Sequence, residues 1–189
     1  MRTYVTADLH LGHTNIIKYC SRPFKTLEEM DKKIICRINE KVKKGDILIH
    51  DGDFCFKKSS EAPDSRITAA EHYRKQINCE NIVFIKGNHD GNNGIKSKIY
   101  SMIMEHMGVR FNVVHNPEHY NYNYRLNLVG HIHEKWKTIT KGGNVLINVG
   151  VDVWDFYPLD LDRVISYYKR LHKEVGILGS EILEPTKGV

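Results

Sequence analysis

Six short apolar runs divide this chain, at residues 4–7, 47–49, 82–85, 111–114, 126–129 and 145–149, and each is flanked by polar residues or glycine. Such runs, bounded by turn formers, read as strands. Five of the six stop at side chains able to ligate a metal. Asp8 and His10 follow the first run, Asp53 the second, Asn88 and His89 the third, His115 the fourth, and His131 with His133 the fifth. In α/β sheets the carboxyl ends of strands border the ligand crevice, so residues far apart in the chain are expected to meet there.

Between the first two runs, Thr26-Leu27-Glu28-Glu29 forms a capping-box pattern, followed by Met30, Ile34, Ile38 and Val42 at helical spacing and by Gly45 as a stop. Further helices are expected over residues 64–76, 97–107 and 160–172, the last with Leu161, Ile165 and Tyr168 along one side. Strands alternate with helices in the first half and crowd together in the second, which argues for an α/β domain whose later strands pair by hairpins. The 189 residues fit a single domain spanning 1–189, with one sizeable core. Residues 176–189 carry Gly, Pro and little periodicity, and are expected to pack loosely.

Gly52, Gly87 and Gly130 each precede a candidate ligand, where they permit tight turns and close backbone approach. In Asp8-Leu9-His10 and His131-Ile132-His133 the alternate spacing puts both polar groups on one side of an extended segment, with Leu9 and Ile132 turned to the core. Two carboxylates, four imidazoles and an amide oxygen make a mixed O/N donor set. It suits divalent Mn first, with Fe, Zn or Ni as alternatives, better than Ca or a thiolate-bound metal. One ion would not need so many donors. A pair sharing Asp53 would lower the pKa of a bridging water and clamp phosphate oxygens for in-line attack.

With the motifs in hand, the chain resembles the calcineurin-like metallophosphoesterases. The resemblance is carried in order by DLH at Asp8 to His10, GD at Gly52 and Asp53, GNHD at Gly87 to Asp90, His115, and GHIH at Gly130 to His133, and it covers nearly the whole chain. Small bacterial and phage members are closest, through the segments His10 to Ile17 and Arg22 to Phe24. The resemblance implies two stacked mixed β-sheets flanked by helices, an αββα sandwich. It implies one metal held by Asp8, His10, Asp53 and His133, and a second held by Asp53, Asn88, His115 and His131. It also implies that His89 contacts the phosphate and protonates the leaving oxygen, with Asp90 as its orienting partner. His119 is a nearby competitor for the place of His115. The second motif continues as Phe54-Cys55-Phe56 and the third ends in Asp90, unlike the Ser/Thr protein phosphatases, which disfavours protein phosphatase activity.

Around this set the readings divide. His13 is either a substrate contact at a helix start or a capping residue. Arg22 is either a bidentate phosphate clamp or a loop ion pair before Pro23. Asp51 is read as a turn or supporting carboxylate, not a ligand. Tyr120, Tyr122 and Tyr124 form either a base-stacking rim or a polar loop packed by its own tyrosines. Trp136, Trp154 and Phe156 are read as core or pocket wall. The formal charge of +5, from 28 Lys and Arg against 23 Asp and Glu, favours an anionic substrate. Phosphodiesters are preferred over monoesters, and a nucleotide, DNA or RNA is compatible with this balance. A non-catalytic scaffold, as in a retromer subunit of the same family, is the reading from a different class; retention of all the ligand candidates speaks against it. Cys20, Cys36, Cys55 and Cys79 include no C-x-x-C pair, and no signal-like segment opens the chain, so a reducing cytoplasm is expected. Nothing approaches the ~20 apolar residues that cross a bilayer.

Overall fold

A computed structural model describes residues 1–56 and 67–174 of the chain, with side chains to residue 171. Two mixed sheets are flanked by helices. The first sheet is built on β1 (Thr3–Thr6), β2 (Ile47–Asp51) and β3 (Asn81–Ile85), which run parallel in the order β3-β2-β1, and a short antiparallel β9 (Leu159–Asp160) closes its edge beside β1. In the second, β5 (Val109–Val114), β6 (Leu126–Val129) and β8 (Asn144–Asn148) are parallel. They are bordered by antiparallel β4 (Ser101–His106) and β7 (Thr138–Lys141), in the order β4-β5-β6-β8-β7. All six apolar runs of the sequence lie on these strands or at their ends.

Alternation along each strand separates the two faces of the first sheet. Val5 and Ile49 meet Phe111, Val113, Leu128 and Ile147 of the second sheet in one core. Tyr4 and Leu48 face the other way, into a second core shared with α1 (Thr14–Tyr19), α2 (Leu27–Lys41) and α3 (Ala69–Arg74). Helix α2 starts where the sequence places it, with the Thr26 hydroxyl accepting from Glu29 N. Met30, Ile34 and Ile38 are fully buried, and each such side chain contributes about 1.5–3 kcal/mol. Helix α3 has a complete capping box between Thr68 and Glu71. The start of the helix expected over 64–76 falls outside the described residues, as does the whole 176–189 tail. Helix α4 (Leu161–Glu174) supplies Leu161, Val164 and Ile165 to the inter-sheet core.

The helix expected over 97–107 is not formed. That segment is β4, in which half-buried Met102, Met104 and His106 alternate with exposed Ser101, Ile103 and Glu105. Ile99, Met102 and Ile103 also satisfy helical spacing, so the apolar pattern alone is ambiguous. The turn decides it: Met107 (φ 50°) and Gly108 (φ 72°) are both left-handed, the signature of a two-residue hairpin loop, and His106 pairs with Val109 across it.

Candidate metal centre

The loops leaving the parallel strands are laced together beyond the strands themselves. Asp8 N donates to Gly52 O (3.0 Å), His10 N to Asp53 O (3.0 Å) and Gly130 N to His115 O (2.9 Å). Ala7 N donates to Val149 O and Val151 N to Ala7 O, which ties the first sheet to the second. Asp8, His10, Asp53, His131 and His133 all have positive φ, between 48° and 72°, and are five of the nine such non-glycine residues among those described. Each costs of order 1–3 kcal/mol and persists only where its surroundings impose it, and such strain gathers at functional sites. The pairs Asp8/His10 and His131/His133 therefore share a side through alternating left-handed residues, not through the pleat of a strand as the spacing alone implied. Gly52 and Gly87 make room for this. A Cβ on Gly52 (φ 82°) would lie 2.4 Å from His115 Nδ1, and one on Gly87 would lie 2.2 Å from Asp53 Oδ1.

Two clusters result. Asp8, His10 and His133 bring ligand atoms within 4.8 Å of one another, and so do Asp53, His115 and His131. Asp53 Oδ2 lies between them, 3.6 Å from His10 Nε2 and 3.2 Å from His115 Nε2. Both of these nitrogens are buried and have no hydrogen-bond partner. Buried polar atoms are nearly always satisfied, and partnerless imidazole nitrogens in a nest of carboxylate oxygens are what a divalent cation completes. The donor set thus fits the metal ions that its chemistry implies. Asn88 is exposed beside the second cluster, its Oδ1 2.8 Å from His131 Nδ1.

Electrostatics follow from burial. Burial raises Asp8 to about 6, against the pull of His115 and His133, and raises Asp51 to about 8. Burial also acts to raise Asp53, but the adjacent His115 imidazole, and after it His10, outweigh it and hold this carboxylate below its ordinary value. His10 is lowered to about 2 by burial. In His115 burial opposes the charged form, yet Asp53 and Asp8 lift it to about 10; in His133 burial is likewise overcome, first by the hydrogen bond to Asp152.

The remaining sequence candidates separate. His89 is exposed on the cleft, its ring 5.5 Å from that of His10, and its backbone N donates to Asp53 Oδ1. His13 also lines the cleft, stacked on Phe56 at 4.6 Å between ring centres, with Nδ1 3.4 Å from His10 Nδ1. The cleft measures about 350 Å³ and is walled by Ile16, Tyr19, Ile132 and Lys135 besides the histidines. Two assignments are corrected. Asp90 is buried and turns inward, its carboxylate accepting from Asp53 N, Phe54 N, Gly87 N and Asn93 Nδ2, so it clasps two loops instead of orienting the His89 ring. Arg22 is buried too: Nε and Nη2 bind Asp152, and Nη1 and Nη2 also donate to Leu9 O and Asp8 O. It is the ion pair and not a phosphate clamp. Tyr120 packs outside the second sheet, with Trp136 and Ile139, and the Tyr120 to Tyr124 segment does not line the cleft.

Asp152 escaped sequence reasoning. It accepts from His133 Nδ1 at 2.9 Å as well as from Arg22. The available signal was position, since Asp152 follows the sixth apolar run as the other candidates follow the first five. Cys20 brings a thiol within 4.8 Å of His133 and Asp152, but Asp152 already spends its oxygens on Arg22 and His133.

The sequence profile described as Calcineurin-like phosphoesterase matches residues 1–174. The uncharacterised protein MJ1445 of Methanocaldococcus jannaschii is 33% identical over 177 residues, which span 89% of this chain and 92% of that protein. Among solved structures, the Aquifex aeolicus protein of unknown function AQ665 superposes with a TM-score of 0.66 at 22% identity, covering 88% of this chain and 98% of the other. That likeness is one of fold.

Proposed function

The chain belongs to the calcineurin-like phosphoesterase family, and on that footing we propose that it hydrolyses small phosphodiesters, and monoesters less well, at a dinuclear metal centre. Family membership supports metal-dependent phosphoester hydrolysis in general. The pairing of two ions rests on one observation: Asp53 Oδ2 sits between the partnerless Nε2 atoms of His10 and His115, where the two ligand clusters meet. Asp8, His10, His133 and Asp53 hold one ion; Asp53, Asn88, His115 and His131 hold the other. Manganese is the preferred ion for these oxygen and nitrogen donors, with Fe, Zn and Ni as alternatives. Ions held there would supply Lewis acidity, neutralising phosphate oxygens and lowering the pKa of water so that hydroxide is available as nucleophile.

The chain's own residues do the rest. His89, on the open side of the cleft, delivers a proton to the departing oxygen. His13, which also lines the cleft, contacts a non-bridging phosphate oxygen, and Asp90 keeps the Asp53 and Gly87 loops in register. The cleft volume suits a small ester, a nucleotide included, better than a polymer, and the tyrosines expected to stack bases lie away from it. We place the protein in the cytoplasm, where its four free thiols stay reduced. No helix among the described residues is long and apolar enough to cross a membrane.

The test is hydrolysis of p-nitrophenyl phosphate and bis(p-nitrophenyl) phosphate by chelator-treated protein resupplied with Mn, Ni, Zn or Mg. Turnover of the diester restored by Mn is expected. No turnover of either ester with any of the four ions would remove the enzymatic reading.

A further inference from the structure

We propose that the Arg22–Asp152 pair is a positioning device for one half of the centre, setting the imidazole of His133 and the backbone of the Asp8 to His10 loop together. This rests on the dinuclear reading above. The Arg22 guanidinium joins two separate pieces of chain. It binds both Asp152 oxygens at 2.7 and 3.0 Å, Asp8 O at 2.7 Å and Leu9 O at 2.9 Å. The same Asp152 Oδ2 that faces Arg22 accepts from His133 Nδ1 at 2.9 Å. With Nδ1 committed as a donor, Nε2 is the nitrogen left with a lone pair for an ion, and Asp152 thereby selects the tautomer as well as the ring orientation.

The device acts directly on one cluster and meets the other only through Asp8, whose carboxylate accepts from His131 N. All three side chains of the Asp8, His10, His133 cluster are attached to it, directly or through the Asp8-Leu9 backbone. The Asp53, His115, His131 cluster is braced by other groups. Asp90 clasps the Asp53 loop, His115 Nδ1 contacts Asp51 O at 2.7 Å, and His131 Nδ1 contacts Asn88. Burial makes the pair effective: the Arg22 side chain is 0% exposed and that of Asp152 2%, so no water competes for these bonds. An arginine is required because a lysine has no planar fork to serve a carboxylate and two carbonyls at once.

Asp152→Asn is the decisive variant. It keeps the shape and one acceptor oxygen, but its amide nitrogen must face Arg22, and His133 as well where it takes the place of Oδ2. Facing Arg22 it breaks the ion pair; facing His133 it imposes the tautomer whose Nε2 carries the proton. A role in packing alone survives this change, whereas a role in setting His133 does not. Purified wild type, Asp152→Asn and Asp152→Ala chains would be titrated with Mn2+ by calorimetry, with bound metal counted by mass spectrometry and unfolding followed by circular dichroism. We expect Asp152→Asn to fold, to bind one ion as wild type does and to bind the second about 10–100-fold more weakly, the usual cost of losing such a partner. Asp152→Ala should show at least as large a loss. Wild-type affinity for both ions in folded Asp152→Asn would overturn the proposal, as would equal weakening of both, or failure of the Asn chain to fold, which would make the pair a general support of the fold. If wild type itself takes up no pair of ions, it is the dinuclear reading that falls.

Discussion

Asp53→Ala is expected to release both metal ions and to lower diester turnover by at least about three orders of magnitude. Lewis-acid stabilisation is worth several kcal/mol, and each ~1.4 kcal/mol is a factor of ten in rate. Asp53 stands in both half-sites, with one carboxylate oxygen 3.6 Å from His10 Nε2 and 3.2 Å from His115 Nε2. The other oxygen accepts from His89 N, so the substitution also frees the loop that carries the proposed acid. The chain should still fold, because the inter-sheet core of Val5, Ile49, Phe111, Val113, Leu128 and Ile147 does not include Asp53. Metal content per chain and turnover, measured on the same preparation with a circular dichroism melt as control, check this. A folded Asp53→Ala chain that retains two ions would show that the bridge has been misassigned.

The second large effect is expected from His89→Ala, and it has a different signature. His89 is exposed on the cleft and is not a member of either ligand cluster. Its loss should leave both ions bound and lower kcat on an unactivated alkyl or nucleoside diester by about 10²–10⁴-fold, the usual contribution of a placed general acid. On bis(p-nitrophenyl) phosphate the loss should be much smaller, because that leaving group departs as a stable anion without a proton. An equal loss on both esters would instead make His89 a substrate-binding group, and no loss on the unactivated ester would remove it from the reaction.

The sequence carries the framework of this account more fully than its interior. Apolar runs ending in Asp, Asn and His locate β1, β2, β3, β5, β6 and β8 and the loops that follow them, because a strand's burial pattern and its polar stop are both local properties. Helix α2 is legible for the same reason, through Thr26, Glu29 and the Met30, Ile34, Ile38 stripe. β4 is not, since its apolar residues satisfy two periods and only the left-handed Met107-Gly108 turn decides between them. The directions of polar side chains are harder still. In sequence Arg22 reads equally as a phosphate clamp or a loop ion pair, and Asp90 as the partner of His89, yet both turn inward to satisfy backbone groups that no sequence pattern reveals. Asp152 stands beside no recognisable motif, and its meaning appears only when β8 is laid next to β6 and its loop meets His133 and Arg22. The left-handed backbone at Asp8, His10, Asp53, His131 and His133 is likewise imposed by loop-to-loop hydrogen bonds.

The central claim is that two ions act together at the meeting point of the two clusters. Its most direct test is a titration of chelator-treated protein with Mn2+ in which bound metal and diester hydrolysis are followed on the same samples. Saturation is expected at two ions per chain, with turnover following occupancy of the pair. Full turnover at one ion per chain, or turnover that survives exhaustive chelation, would contradict it.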